Sequence, residues 1–312
     1  MLFPGFPTLL RVRFIWLILF CCFWLLSGAS LQAAESADAS LSPAAQSAFP
    51  EQLGTIVYQT EPEASSRIYI IANGHRSAIN GANTTDTVQA QIETFRIGEW
   101  LIKRNRIDLL LPEGFFGEKG RSRAIDADQI PLDNQTLRNA LADTTHFINA
   151  ELLLHEQYGI GLGQVENRQL YRDVRERLRS RLKAGAEFSF TLYSELARLQ
   201  KLRTAYLLQA APAVTAAAYQ QGRITAPNAM MTIGLSHLKD IISFLESGKT
   251  DFGQQTEGSA YPLRETDLEQ IKSPVGITVV VPRTLMAKGY TLVTASGLAK
   301  NQSSRDDQAK TF

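Results

Sequence analysis

Arg67-Ile68-Tyr69-Ile70-Ile71-Ala72-Asn73-Gly74-His75 is the stretch that decides the fold. Its apolar residues run without alternation, the pattern of a strand buried on both faces, as in a parallel sheet. It stops at a glycine turn that carries a histidine. Beyond it, Asp86 followed by Gln89 marks a helix start, and Val88, Ile92, Phe95 and Ile102 then share one face at helical spacing. Ile107–Leu111 is the next apolar run, ended by Pro112-Glu113-Gly114. Strand, helix and strand in this order form a βαβ unit with a right-handed crossover and a parallel pair.

The same order returns late in the chain. Ala229–Ile233 reads as a buried strand leading into Gly234-Leu235-Ser236-His237, Leu238–Leu245 as a helix, and Val275–Val281 as a further strand. Gly54–Thr60 precedes the first unit as a short strand, and Tyr290–Val293 is expected to close the sheet. The fold class expected is therefore α/β, with a central, mostly parallel sheet built from two pseudo-symmetric strand-helix-strand halves. Between them lies a mostly helical insertion over about 120–225. Within it, Thr136–Glu156 reads as helical, Ile160–Val165 as a short strand, and Leu170, Val174, Leu178 and Leu182 as the apolar stripe of an arginine-rich helix. Phe188–Tyr219 continues the helical pattern. The arginines of 168–181 read as a solvated face, because Asp173 and Glu176 interleave them.

The chain begins with a different kind of segment. Arg11 and Arg13 flank the apolar stretch Phe14–Leu26, and small residues follow at Ser27, Gly28, Ala29, Ala33 and Ala34. This is the layout of an export signal over residues 1–34, with an uncleaved membrane anchor as the alternative. Residues 35–50 read as a flexible lead, 51–298 as a single domain and 299–312 as a disordered tail. Both cysteines, Cys21 and Cys22, lie in the signal, so export leaves a chain without disulfides. The expected location is the periplasm or the secreted medium, with the membrane touched only through an uncleaved N-terminus. Loss of Arg11 and Arg13 leaves basic and acidic residues nearly balanced, which gives no nucleic-acid footprint. Composition leaves the oligomeric state open.

Of four histidines, His75 and His237 each end a strand at a glycine turn, the edge where α/β folds gather site residues. Glu113 ends the neighbouring strand, and Glu166 follows the short strand candidate. His75, His237, Glu113 and Glu166 make a nitrogen and oxygen donor set suited to Zn²⁺, Mn²⁺ or Co²⁺. An ion held there lowers the pKa of its bound water and polarises a carbonyl, so hydrolysis is the matching reaction class. Ser77 and Ser236 lie near the histidines, but neither sits in a G-x-S-x-G turn, which argues against serine hydrolysis. His146 and His155 sit in helical context without a partner motif.

The strand, the Gly-His-x-Ser turn, the buried strand ending in Glu113 and the late Gly234-Leu235-Ser236-His237-Leu238 with Ile241 resemble the TraB/PrgY/GumN family. That group includes the Tiki metalloproteases and, more distantly, the ChaN haem-binding lipoproteins and the erythromycin esterases. Ala72 stands where the family's first G-x-x-H motif has glycine. The segment from Glu151 through Gly163 to Glu166 and Gln169 resembles a stretch in which a small strand ends in Gly-x-Glu. Arg203 matches a helical Arg-Asn position, with Thr204 in place of asparagine. The resemblance implies catalytic roles for His75, Glu113, His237 and Arg203, the last stabilising an oxyanion or orienting a carboxylate. It implies a divalent metal and a peptide or small-molecule ester as substrate. Its alternative is a non-catalytic protein that binds haem or a peptide in the same cleft.

Overall fold

The computed structural model describes residues 49–74, 83–104, 106–117, 120, 128–143, 148–184, 190–250, 252 and 275–287. The segments expected as an export signal and as a disordered tail, His75, His146 and the strand expected at Tyr290–Val293 lie outside the described residues. Among the described residues, no helix is long and apolar enough to cross a membrane.

Six strands form one sheet: β1 (Gly54–Gln59), β2 (Arg67–Asn73), β3 (Leu109–Pro112), β4 (Gly161–Leu162), β5 (Asn228–Gly234) and β6 (Gly276–Pro282). Their order across the sheet is β1-β6-β2-β5-β3-β4. All neighbours run parallel except β1, which lies antiparallel to β6 at the edge. The α/β class and the mostly parallel sheet agree with the sequence reading. β2 and β5 pair in the middle, with Ala72 opposite Ile233 and Asn73 opposite Gly234.

The crossovers place the halves. From β2 the chain runs through α1 (Thr85–Lys103) to β3, which pairs with β5. From β5 it runs through a 3₁₀ turn (Leu235–His237) and α6 (Leu238–Ser247) to β6, which pairs with β2. Each half therefore delivers its second strand to the far side of the other half's first strand. The two connections leave the β2–β5 pair in opposite directions, which makes the carboxyl end of that pair a topological switch point, where open α/β sheets bind ligands.

The strand residues alternate between two cores. Ile68, Ile70, Ala72, Met231, Ile233, Val279 and Val281 face one, with Leu202, Leu208 and Ile241. Ile71, Leu110, Met230 and Val280 face the other, with Phe95, Leu101 and Tyr158. Burial on both faces accounts for the unbroken apolar runs, and each fully buried Ile, Leu or Val contributes about 1.5–3 kcal/mol relative to exposure.

Three of the helical segments expected from the sequence differ in the structure. α1 begins at Thr85, one residue before Asp86, because the Thr84 side chain caps it by accepting from the Thr87 N–H. The helical stretch expected at Thr136–Glu156 is two helices, α2 (Asn134–Ala142) and α3 (Ala150–Tyr158). Asp143 leaves the helical region at ψ 124°, and Asp133 and Asn149 each cap a separate start. In α4 (Arg168–Ala184), Leu170 and Val174 are buried but Leu178 is exposed, and no residue from Arg175 to Arg181 is buried. Of these three, Leu170 and Val174 find the core and Leu178 does not. α5 (Phe190–Gln220) packs along α4, and α7 (Arg283–Ala287) follows β6.

Candidate functional site

Glu113 is carried by the turn that ends β3. Its N–H still bonds to the Thr232 carbonyl at 3.0 Å, so the residue remains fixed to β5 as the chain turns away. Gly114 next to it takes φ +73°, a left-handed conformation that L side chains rarely adopt. That turn brings the Gly114 N–H to 3.2 Å from Glu166 Oε2.

Arg203, on α5, joins the two acids. Its Nε and Nη2 donate to Glu166 Oε1 at 2.9 Å and Oε2 at 2.5 Å, a two-pronged contact on one carboxylate. The same Nη2 lies 2.7 Å from Glu113 Oε1. The other Glu113 oxygen accepts from the Gly234 N–H at the end of β5. Burial opposes the Arg203 charge, but the Glu166 hydrogen bonds and the charges of Glu113 and Glu166 outweigh it and raise its pKa above the ordinary arginine value. One cation against two carboxylates leaves an excess of one negative charge.

His237 closes the network. Its Nδ1 lies 2.6 Å from the Thr204 hydroxyl, which itself donates to the Gln200 carbonyl at 2.9 Å. A hydroxyl has one hydrogen, so Thr204 receives an N–H from Nδ1, and the tautomer is assigned by that chain of bonds. Nε2 then faces Glu113 Oε1 at 3.5 Å. The neighbouring Asp240 has its pKa raised by burial, against the lowering effects of Lys201, His237 and Lys239.

These residues back a pocket of 440 Å³ at the carboxyl ends of β2, β3 and β5. Glu113 is the member of the network that lines it; Tyr171 lines it too, and the Arg203 guanidinium lies behind, 4.9 Å from the Tyr171 ring centroid. Asn73, Gln91 and Asn149 complete a polar wall. Each spends its side-chain oxygen on a backbone N–H, of Gly74, Ala150 and Leu152 respectively. Those contacts leave the amide N–H groups as the remaining hydrogen-bonding capacity of the three side chains.

Opposite chemistry stands at Glu151, in the first turn of α3. It is 4% exposed and lines the same pocket. One oxygen accepts from the Thr232 hydroxyl, and Oε2 has no hydrogen-bond partner among the described residues. Burial raises its pKa above the ordinary glutamate value, the Thr232 hydrogen bond acts against this, and the nearby Glu113 charge adds to the rise.

The structure thus brings together Glu113, Glu166, Arg203 and His237, whereas His75 falls outside the described residues. Arg203 is placed to orient carboxylates. Thr204, Thr232 and the pocket amides had no role assigned from the sequence, and Glu151 stood there only as part of a resembling stretch. A first-turn acid after an asparagine cap reads as an ordinary helix start, which hides its burial.

The expected divalent ion can be tested against the donors present. Both Glu166 oxygens are taken by Arg203, and Arg203 Nη2 stands between Glu113 and Glu166, where a cation would sit. Among the described residues, no group of three or more His, Cys, Asp or Glu side chains is arranged to hold a metal. Among the described residues, Glu113, Glu166 and His237 do not by themselves make a divalent-ion site, because a guanidinium already supplies the positive charge between the two carboxylates. Comparison with family models, with curated proteins and with solved structures gave no match.

Proposed function

We propose that this chain is an exported hydrolase of peptide or ester bonds, as its resemblance to the TraB/PrgY/GumN group implies, with Glu113 as the general base. One observation carries the reading. At the switch point of the sheet, a carboxylate lines a polar pocket while a buried guanidinium 2.7 Å away and the Gly234 N–H hold it ionised and oriented.

In this reading a water bound beside Glu113 attacks the acyl carbon and gives its proton to the carboxylate. His237 Nε2, 3.5 Å from Glu113 Oε1, can take that proton onward. When the ring carries hydrogen on both nitrogens, each N–H is met by an oxygen, of Thr204 on one side and Glu113 on the other. Arg203 keeps Glu113 in place and is itself held by Glu166. The amide N–H groups of Asn73, Gln91 and Asn149 favour a ligand rich in acceptors, as peptides and esters are.

The test is hydrolysis of unstructured peptides and of acyl esters by the purified protein, beside Glu113→Gln. A loss of about 10²–10⁴-fold in kcat is expected for the variant. Wild-type protein that turns over neither class would end the proposal.

A further inference from the structure

Arg168, Arg172, Arg175 and Arg179 follow one another at i, i+4, i+7 and i+11 in α4, a spacing that brings them within about 60° of each other round the helix. All four are exposed. The opposite side of α4 is taken up by its contacts: Leu170 and Val174 are buried, Arg177 Nη2 lies 2.8 Å from Glu195 on α5, and the Arg181 guanidinium stands over the Tyr193 ring. Arg172, Arg175 and Arg179 meet no acid and no hydrogen-bond acceptor among the described residues. Asp173 and Glu176 interleave these arginines in sequence but not in space. Asp173 lies about 130° round from the middle of the stripe and accepts from Gln169 at 2.9 Å, and Glu176 only borders it. Like charges three and four residues apart repel across a helix surface, so an uncovered stripe of this kind works against α4. A bound anion reverses that sign.

The stripe begins at the pocket. Arg168 lies over the Phe116 ring at 4.9 Å, that ring meets Tyr171 edge-on at 5.1 Å, and Tyr171 lines the pocket together with Glu113. From Arg168 to Arg179 the face extends for about 16 Å, the span of about five residues of extended peptide. Glu113 puts a negative charge in the pocket itself, so the part of a ligand that enters it is uncharged and an acidic part stays outside. We propose that this outward face of α4 is a docking track for an acidic peptide segment, the flank of a substrate whose uncharged stretch enters the pocket. The inference rests on the hydrolytic reading above and deepens it by naming the substrate class. Guanidinium groups take carboxylates in two-pronged contacts, and four of them in line hold a run of Asp or Glu side chains that a single exposed pair would not.

The experiment measures the fluorescence anisotropy of dye-labelled peptides mixed with the full chain. Each peptide joins a neutral Ala-Gly stretch to a run of about five glutamates, placed before or after it, and a second set carries glutamines instead. Wild type is expected to bind the glutamate peptides at least about tenfold more tightly than the glutamine ones, with the difference shrinking as NaCl rises. Arg172→Gln/Arg175→Gln/Arg179→Gln should abolish that difference and, with the repulsion relieved, melt no lower than wild type. Arg104→Gln/Arg223→Gln/Lys249→Gln removes the same charge from exposed positions elsewhere and should bind as wild type does. Equal affinity for both peptide sets, the same loss in both triple variants, or a preference for phosphatidylglycerol vesicles over the glutamate peptides would overturn the proposal, the last in favour of a lipid surface.

Turnover separates this proposal from the reading it rests on. Contacts made away from the reacting bond act on ground state and transition state alike, so the glutamate run should lower KM about tenfold with kcat little changed, and the α4 triple variant should lose that advantage. Hydrolysis with the same KM on both peptide sets would overturn the docking track and leave the hydrolase standing. Tight, arginine-dependent binding of the glutamate peptides without hydrolysis would overturn the hydrolytic reading and leave the track as the place where an acidic peptide binds.

Discussion

The Arg203 guanidinium lies 2.7 Å from Glu113, and its same nitrogen reaches Glu166 at 2.5 Å, so one side chain from the helical insertion sets the position of an acid at the end of β3. Glu166 is fully buried, and Glu113 is half-buried at the pocket wall.

Removing the cation would leave two carboxylates facing each other out of water. Arg203→Met is expected to cost about 3–5 kcal/mol of stability, the usual consequence of breaking a buried pair from one side. Adding Glu166→Leu to Arg203→Met should recover a large part of that loss, because the stranded charge goes with it. Urea unfolding of the single and double variants checks both, and a double variant less stable than Arg203→Met would contradict the charge argument.

Thr204 acts through His237. Thr204→Val leaves the Nδ1 hydrogen without an acceptor, at about 1–3 kcal/mol, and frees the ring to rotate away from Glu113. The expected result is a fall in kcat of about tenfold or more with KM nearly constant, and recovery in Thr204→Ser. Steady-state kinetics of the two variants side by side would show whether the hydroxyl or the packing matters.

The stability of the protein should carry the signature of Glu151. In the unfolded chain this carboxyl ionises near the ordinary value of about 4.3, whereas in the folded state burial holds its pKa higher. Between the two values the folded state binds more protons than the unfolded one, so stability falls as pH rises through that window. Glu151→Gln removes the term. The variant should match wild type below about pH 4 and be the more stable of the two as pH rises above that value, as read from urea midpoints across a pH series. A difference that does not change with pH would contradict a buried proton.

A chelator should leave the protein unchanged. With Arg203 standing between Glu113 and Glu166, dialysis against EDTA is expected to alter neither the melting temperature nor the rate of hydrolysis, and added Mn²⁺ should raise neither. A bound ion stabilises by mass action, about 2.7 kcal/mol at a hundred times its Kd, so differential scanning calorimetry would detect it readily.

Much of this fold was legible before the coordinates, for a simple reason. A strand covered on both faces must be apolar along its whole length, so Ile68–Ala72, Leu109–Leu111, Ala229–Ile233 and Ile277–Val281 declare themselves by composition alone. Glycine turns after two of them, and the acid after a third, point to the carboxyl edge of the sheet. Glu113, His237 and Glu166 could be singled out on that ground, and Arg203 through the family resemblance.

What only the tertiary structure decided is how charges and protons are shared among those groups. Sequence spacing cannot tell that Arg203, ninety residues from Glu113, stands where a metal was expected, or that Glu151 is sealed against Thr232 with one oxygen unmet. Apolar burial is a property of a segment and is written along it. The state of an ionisable group depends on distance, desolvation and partners that arrive from other elements, and these exist only once α3, α5 and the sheet have come together.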